Sequence, residues 1–306
     1  MGKTGVVILN YITWQQTERC IKSLKETENA DELQIYVVDN ASPEKGELRR
    51  VCREAQVELI ENPNNSGYAA GNNVGIAKAL ADGCDYIVIS NNDIEYRAGC
   101  ITRMRDFLEG HFEYGIVGPK ILTPEGTLQR CHYKKKTGYG DIWGTQTILR
   151  YVIKKPTDAL YGDEQFYLHE QEVFAVSGCC FMLRAACARK IAPFDEHTFL
   201  YEEENIIGVR MEKEGWKTGY LPESEVVHNH DQTTRLVKPF ALICWACSEV
   251  YYCREYLGCG FVKIRLMYWY RTLIFLLHGL RNKAYREQWS EYRKETGKYL
   301  RQKEWD

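Results

Sequence analysis

Four short apolar runs, Val6–Leu9, Ile35–Val38, Val57–Ile60 and Tyr86–Ile89, alternate with segments of helical periodicity. So short an apolar run suits a strand buried on both faces, as in a parallel sheet. After the first run, Thr13 stands as a helix N-cap with Gln16 placed to close a capping box. Thr17, Cys20, Ile21 and Leu24 then recur at i, i+3, i+4 and i+7, one face of a helix. Ser42 reads as the cap of a second helix with Pro43 at its first position, and Leu48, Val51, Cys52 and Ala55 as its inner face. Residues 72–81 predict a third helix stopped by Gly83, and 98–109 a fourth with Met104 and Leu108 inward. Strand and helix alternating at this spacing predict an α/β fold, a mostly parallel sheet flanked by helices.

In such sheets ligands bind beyond the carboxyl ends of the strands. Here the four runs end in Asn10-Tyr11, in Asp39-Asn40, in the turn-rich loop from Asn62 to Gly67, and in Asn91-Asn92-Asp93. One polar loop means little; four in succession point to a shared polar site. It is no dinucleotide site, because Asn10-Tyr11-Ile12-Thr13 carries no glycine, and no Gly-x-x-x-x-Gly-Lys-Ser/Thr loop occurs. Gly67, Gly71 and Gly75 either receive an anion at a helix start or let backbones approach closely. Asp93 is either a ligand for a hard divalent cation or a turn residue capping the next helix. A further apolar pair, Val226-Val227, ends in His228-Asn229-His230. Imidazole with carboxylate suits Mn²⁺ somewhat better than Mg²⁺.

The formal net charge of -2 over 306 residues argues against a whole-chain nucleic-acid binder. Val6–Leu9 is too short for an export signal, and Arg271 splits the longest apolar stretch, near 266–277. Twelve cysteines in such a chain predict reduced thiols and a soluble cytoplasmic protein, in which Asn40-Ala41-Ser42 and Asn64-Asn65-Ser66 carry no glycan.

The chain resembles the family 2 glycosyltransferases, and within them the bacterial rhamnosyltransferase-like branch that builds cell-surface polysaccharide. The resemblance rests on Val37-Val38-Asp39-Asn40-Ala41-Ser42, on the run from Asn62 to Asn73, on Ser90-Asn91-Asn92-Asp93 and on Gly118-Pro119-Lys120-Ile121-Leu122. It continues through Val176-Ser177-Gly178-Cys179-Cys180, Phe194-Asp195-Glu196, Phe199-Leu200-Tyr201-Glu202-Glu203-Glu204, Gly215-Trp216, Tyr220-Leu221-Pro222-Glu223 and Val226-Val227-His228. Together these span roughly residues 5–232.

The resemblance implies a GT-A domain over 1–235, Rossmann-like, that binds a nucleoside-diphosphate sugar (dTDP- or UDP-linked) and Mn²⁺ or Mg²⁺. Asp39 would contact base or ribose, with Asn10, Tyr11, Asn40, Asn65, Gly67, Gly71, Asn72, Asn91 and Asn92 around the donor. Asp93 would be the metal acid of the Asp-x-Asp motif, joined by His228. The first acid of that motif is Asn91 here, so the metal is expected to arrive with the donor. The Glu-Asp motif reads Glu203-Glu204, and the acid usual two residues later is Ile206. Glu204 takes the part of catalytic base, with Glu203 the close alternative. A positioned carboxylate deprotonating an acceptor hydroxyl, with in-line displacement, gives inversion at the anomeric carbon. By residue type alone this acid run better suits a solvated helix start, where Glu complements the dipole.

Residues 120–172 show little periodicity and read as an acceptor loop or a surface insertion, with Lys134-Lys135-Lys136 a solvated run or an anion site. The extension 236–306 is helical in pattern; between 261 and 303 it holds eleven Lys+Arg against three Glu, interleaved with aromatics. It reads as a membrane-surface helix at the inner face of the cell membrane, fitting a saccharide or lipid-linked acceptor, or as a core or homodimer-forming hairpin. Cys244-x-x-Cys247 lacks the second pair that a zinc site needs. A non-catalytic scaffold and a nucleotidyltransferase are the alternative functions, the latter disfavoured by the missing phosphate loop.

Overall fold

The computed structural model describes residues 2–29, 32–153, 157–229 and 238–301. His230, Lys303 and the boundary expected at 235 lie outside them. The first half alternates as β1 (Thr4–Asn10), α1 (Trp14–Thr27), β2 (Leu33–Asp39), α2 (Gly46–Glu54), β3 (Glu58–Glu61), α3 (Tyr68–Ala81), β4 (Tyr86–Asn91), β5 (Ile94–Tyr96), α4 (Cys100–Gly110) and β6 (Tyr114–Leu122). Short helices α5 (Tyr139–Gln146), α6 (Arg150–Ile153) and α7 (Asp158–Tyr161) cross the stretch without periodicity. There follow β7 (Gln171–Val173), β8 (Cys180–Arg184), α8 (Ala185–Ile191), α9 (Glu203–Glu214) and β9 (Lys217–His228). Helices α10 (Lys238–Tyr251), α11 (Phe261–Arg281), α12 (Lys283–Glu287) and α13 (Trp289–Arg301) close the chain.

The nine strands of the described residues join one sheet, in the order β3-β2-β1-β4-β8-β6-β9-β5, with β7 also on β9. Strands β3, β2, β1 and β4 are parallel, as are β6 and β9, but β8 is antiparallel to both β4 and β6. The sheet is therefore mixed at its centre. Each face carries its own core: Val6, Ile8, Val37 and Val88 meet α1, α2 and α4, while Val7, Val38, Ile87 and Ile89 meet α3 and α8. Alternation along buried strands divides the residues between the faces.

Two predicted caps differ. Thr13 does precede α1, but its side chain makes no capping bond; its hydroxyl accepts from Asn92 Nδ2 at 2.9 Å. Ser42 caps no helix, because α2 starts at Gly46 and the Ser42 hydroxyl is spent on Asp39. Helix α3 begins at Tyr68, four residues before the expected start, with Gly67 as its N-cap. The lysine triplet is engaged by protein: Lys134 lies over Phe166, Lys135 pairs with Asp141 at 2.9 Å, and Lys136 reaches Tyr256 O at 3.5 Å.

The C-terminal helices pack against the sheet domain rather than trailing from it. Ile206 and Val209 of α9 join Ile142, Val250, Ile264 and Met267 in one cluster. Between α10 and α11, Arg271 grips Glu249 through two bonds of 2.6 and 2.5 Å, both side chains buried. Its guanidinium lies 4.0 Å from the Trp245 ring. A bidentate geometry is what lets a buried pair offset its desolvation. Four further bonds clamp the segment ahead of α9: Tyr251 and Tyr256 donate to Asp195, Ser248 to Leu200 O and Tyr299 to His197 O. The cysteines are free thiols, and Cys244 and Cys247 are buried in this helical layer.

Gly75 shows how closely α3 lies on the sheet. A Cβ there would stand 2.2 Å from Val7 Cγ1, on a strand residue with no exposure and no room to shift. Gly75→Leu is expected to destabilise the chain by roughly 3 kcal/mol or more, whereas Gly46→Ala, in open space, should change stability by less than about 0.5 kcal/mol. Urea unfolding of both variants checks the contrast.

Candidate functional site

The register of β1 against β2 sets Asn10 beside Asp39, and that of β1 against β4 sets Leu9 beside Asn91. The polar strand ends therefore share one edge of the sheet. Asp39 is fully buried. Its Oδ1 accepts from Asn10 Nδ2 at 2.8 Å and from Ser42 Oγ at 2.5 Å, and its Oδ2 from Ser42 N at 3.1 Å. Lys45 Nζ, 3.8 Å from Oδ2, adds a countercharge. These bonds hold two non-glycine residues in the left-handed region, Ala41 at φ 62 and Ile12 at φ 69, the latter also donating its N–H to Ser42 Oγ at 2.7 Å. Such backbone persists only where its surroundings over-determine it. The turn leaves Tyr11 at the surface, 39% exposed. Asn92 Nδ2 lies within 3.1 Å of Asn10 Oδ1 and of Thr17 Oγ1, tying β4 to the same cluster.

A second polar cluster lies beside the first. Asn40 Nδ2 donates to Asn65 Oδ1 at 2.9 Å and to Gly67 O at 3.0 Å, and Asn62 donates back to Asn40 at 3.1 Å. Of the two readings of the glycines, close approach is the one the geometry fits. At Gly67, φ is +95° and a Cβ would fall 2.4 Å from Phe199 O. At Gly71 it would fall 2.5 Å from Leu9 Cδ1. The N–H of Tyr68, at the start of α3, is already given to Phe199 O at 2.9 Å. Asn72 is fully buried and donates to Tyr68 O, so it belongs to the packing beneath the cluster.

Asp93 and His228 meet across the pairing of β5 with β9, where Ile94 stands opposite His228 and Asn229 N donates to Asp93 O at 2.8 Å. Asp93 Oδ1 lies 3.4 Å from His228 Nε2. That oxygen is buried and takes no hydrogen bond from the described residues. Burial pushes the imidazole pKa down, but Asp93 and the Cys179 thiol more than offset it and hold His228 up at about 10. His228 Nδ1 is 3.3 Å from Gln129 Oε1, which fixes the ring. The Asp93 carboxylate and the His228 ring, the two residues expected at a cation, thus stand side by side as an ion pair. Among the described residues no group of three His, Cys, Asp or Glu is placed to hold one. A cation here needs oxygens from its ligand to complete its shell.

The loop entering β8 connects this pair to the acid run. Gly178 N donates to Glu204 Oε1 at 3.0 Å, Gly178 O accepts from Tyr68 OH at 2.5 Å, Cys179 O accepts from Asn91 N at 2.8 Å, and the Cys179 thiol adjoins His228. Glu202 and Glu203 are buried, Glu204 partly so. Burial raises all three carboxyls: Glu202 to about 8, opposed by the amide of Asn205 at 2.9 Å, and Glu203 well above the ordinary range, with the Glu204 charge adding to it. Glu204 is raised too, though the Gly178 N–H works against the shift. The solvated helix start allowed by residue type is thus not what forms. Ile206, where the family's further acid would stand, is 2% exposed inside the cluster under the C-terminal helices.

Four contributors escape reading by residue type: Ser42, Tyr68, Gly178 and Cys179. Only Ser42 left a local signal, since Asp-x-x-Ser is the spacing at which a side chain bonds its own turn.

Residues 5–191 match the sequence profile described as "Glycosyl transferase family 2". The N-acetylglucosaminyl-diphospho-decaprenol L-rhamnosyltransferase of Mycobacterium tuberculosis is 26% identical over 242 residues, 75% of this chain and 76% of that protein. Among solved structures, GalNAc-T7 with UDP, GalNAc and Mn²⁺ superposes with a TM-score of 0.59 at 14% identity, over 82% of this chain but only 51% of its own. The mannosyltransferase PcManGT of Pyrobaculum calidifontis, with GDP-Man and Mn²⁺, superposes with a TM-score of 0.57 at 13% identity, over 99% of this chain and 88% of its own.

Glu202 gives a pH prediction. Its pKa is raised on folding, so the folded state binds more protons than the unfolded one, and stability falls as pH rises from about 4.5 to about 8. Glu202→Gln should remove its share of that slope, leaving the part due to Glu203 and Glu204, and stabilise the chain by about 1–3 kcal/mol at the alkaline end. Denaturant unfolding across this range reads the difference.

Proposed function

The chain belongs to glycosyl transferase family 2 and is a glycosyltransferase of GT-A fold, and we propose that it transfers a sugar with inversion from a nucleoside diphosphate to a hydroxyl of a glycan or lipid-linked acceptor. dTDP and UDP are the carriers favoured, on the cytoplasmic side of the membrane, in cell-surface polysaccharide synthesis. The observation that carries this reading is the loop at Gly178-Cys179, whose Gly178 N–H bonds the Glu204 carboxylate and whose Cys179 thiol adjoins His228 of the Asp93–His228 pair.

Asp39, with Asn10, Asn92, Tyr11 and the Asn40–Asn65 loop, forms the nucleotide end of the site. The preset Asp39 turn binds without having to be ordered first. Asp93 and His228 would hold Mn²⁺ or Mg²⁺, the cation taking the place of the proton that Asp93 keeps on the imidazole. When bound, that ion stabilises charge on the departing diphosphate.

The acceptor hydroxyl loses its proton to Glu204. Two carboxyls this close do not both ionise readily. Glu203 is the deeper of the pair, with Oε1 buried and without a hydrogen bond, whereas Glu204 accepts from Gly178 N–H, so the proton stays on Glu203 and the charge on Glu204. Gly178 N–H fixes Oε1 of Glu204 at 3.0 Å, and Oε2 is the oxygen that would face the acceptor. A base of raised pKa accepts a proton more readily near neutral pH. Single in-line attack, with no covalent enzyme intermediate, inverts the anomeric centre.

Glu204→Gln should lower kcat by about 10²- to 10⁴-fold with nucleotide affinity unchanged, while Glu203→Gln costs less than about tenfold. Transfer that survives Glu204→Gln would remove Glu204 from the role of base. Thermal stabilisation by UDP, dTDP, GDP and CDP, with and without Mn²⁺, identifies the carrier. Asp93→Asn should abolish the Mn²⁺-dependent part of that shift, and a shift that persists unaltered would take the cation away from Asp93.

A further inference from the structure

Helix α11 is apolar on two opposite faces, and only one of them is used. Its inner face, with Ile264, Met267, Arg271 and Phe275, is buried against α10 and the cluster under α9. On the outer face Val262, Leu266, Trp269, Leu273, Leu277 and Leu280 are all exposed, between 49% and 77%. They follow one another at steps of three and four residues, so they fall within an arc of about 100°. Among the described residues nothing covers them.

The flanks of this stripe are basic. Lys263 and Arg265 lie to either side of it at one end, and Arg281 borders it at the other. The 21 residues of α11 contain no Asp or Glu, and its one buried cation, Arg271, is neutralised by Glu249. The apolar surface also continues onto a second segment. Ile148, Tyr151 and Val152 are 65–77% exposed, and Ile148 N bonds the hydroxyl of Tyr270 on α11 at 2.9 Å.

We propose that this face docks on the surface of an anionic lipid bilayer. Leucines and a tryptophan would sink to the acyl boundary, and Lys263, Arg265 and Arg281 would meet phosphate headgroups, the arrangement of an interfacial helix. No described helix is long and apolar enough to cross a membrane, so the element lies on the bilayer. A protein partner would match the apolar stripe equally well, but the cations along both its edges, without a single acid, complement a surface of uniform negative charge. Docking would place α9, and Glu204 at its start, one helix layer from the lipid. Its purpose, presenting a lipid-linked acceptor to that carboxylate, rests on the function proposed above; the docking itself does not.

The test is co-sedimentation of the full chain with phosphatidylcholine vesicles, with and without phosphatidylglycerol. Binding is expected to the anionic vesicles, weakened by salt. Replacing the exposed Leu266, Trp269 and Leu273 together by Glu should weaken it at least about tenfold, with the melting temperature and its nucleotide-induced rise unchanged. Lys263→Glu with Arg265→Glu, which leaves the stripe intact, should weaken it as well. A wild-type chain that stays in the supernatant with anionic vesicles overturns the proposal, as does a triple variant that binds them as well as wild type. Light scattering that shows a wild-type dimer dissociated by the triple variant, without vesicle binding, would assign the face to a second copy instead. Vesicle binding by a chain that no nucleotide stabilises would sustain the docking and sink the proposed transfer.

Discussion

One reversed strand organises the site. Parallel strands β1, β2 and β4 all deliver their carboxyl ends to the same edge, but β8, between β4 and β6, runs the other way. Its amino end, and the turn Gly178-Cys179 before it, therefore arrive where the other strands finish. A sheet of parallel strands alone would have put that turn at the opposite edge. The inversion is what lets backbone groups reach Glu204 and Asn91, and a thiol reach His228.

The polar groups at this edge are held before any ligand arrives. Asp39 is buried with three hydrogen bonds, which is what a buried polar group requires. The acids at the start of α9 have fewer partners. Glu203 Oε1 is buried without a hydrogen bond, and burial raises both Glu203 and Glu204. The two ends of the site thus differ in kind: one is a satisfied network that shapes the backbone, the other a pair of poorly solvated carboxyls suited to exchanging a proton.

The C-terminal helices stabilise this arrangement from behind. Tyrosines 251, 256 and 299 and Ser248 hold the segment 195–200, whose Phe199 carbonyl in turn anchors the start of α3. Ile206 belongs to the same interface. An acid at that position would be buried among the apolar side chains of Ile142, Val250 and Ile264, where an unpaired carboxylate is costly.

Periodicity and turn chemistry alone were enough to determine the α/β class, the strand–helix alternation of the first hundred residues and the polar character of the strand ends. Those features follow from local preferences and from which residues can be buried together. The motif order carried the family, and with it the metal and base positions proposed above, which residue type left open. Ser42 looked like a helix cap because a serine before proline commonly is one; only the adjacency of Asn10 and Asp39 across two strands turned its hydroxyl elsewhere. The direction of β8, the meeting of Asp93 with His228 more than 130 residues away, and the burial of one face of α11 but not the other were likewise decided by tertiary structure. Each depends on which distant segment arrives beside it, and no local pattern in the chain encodes that neighbour.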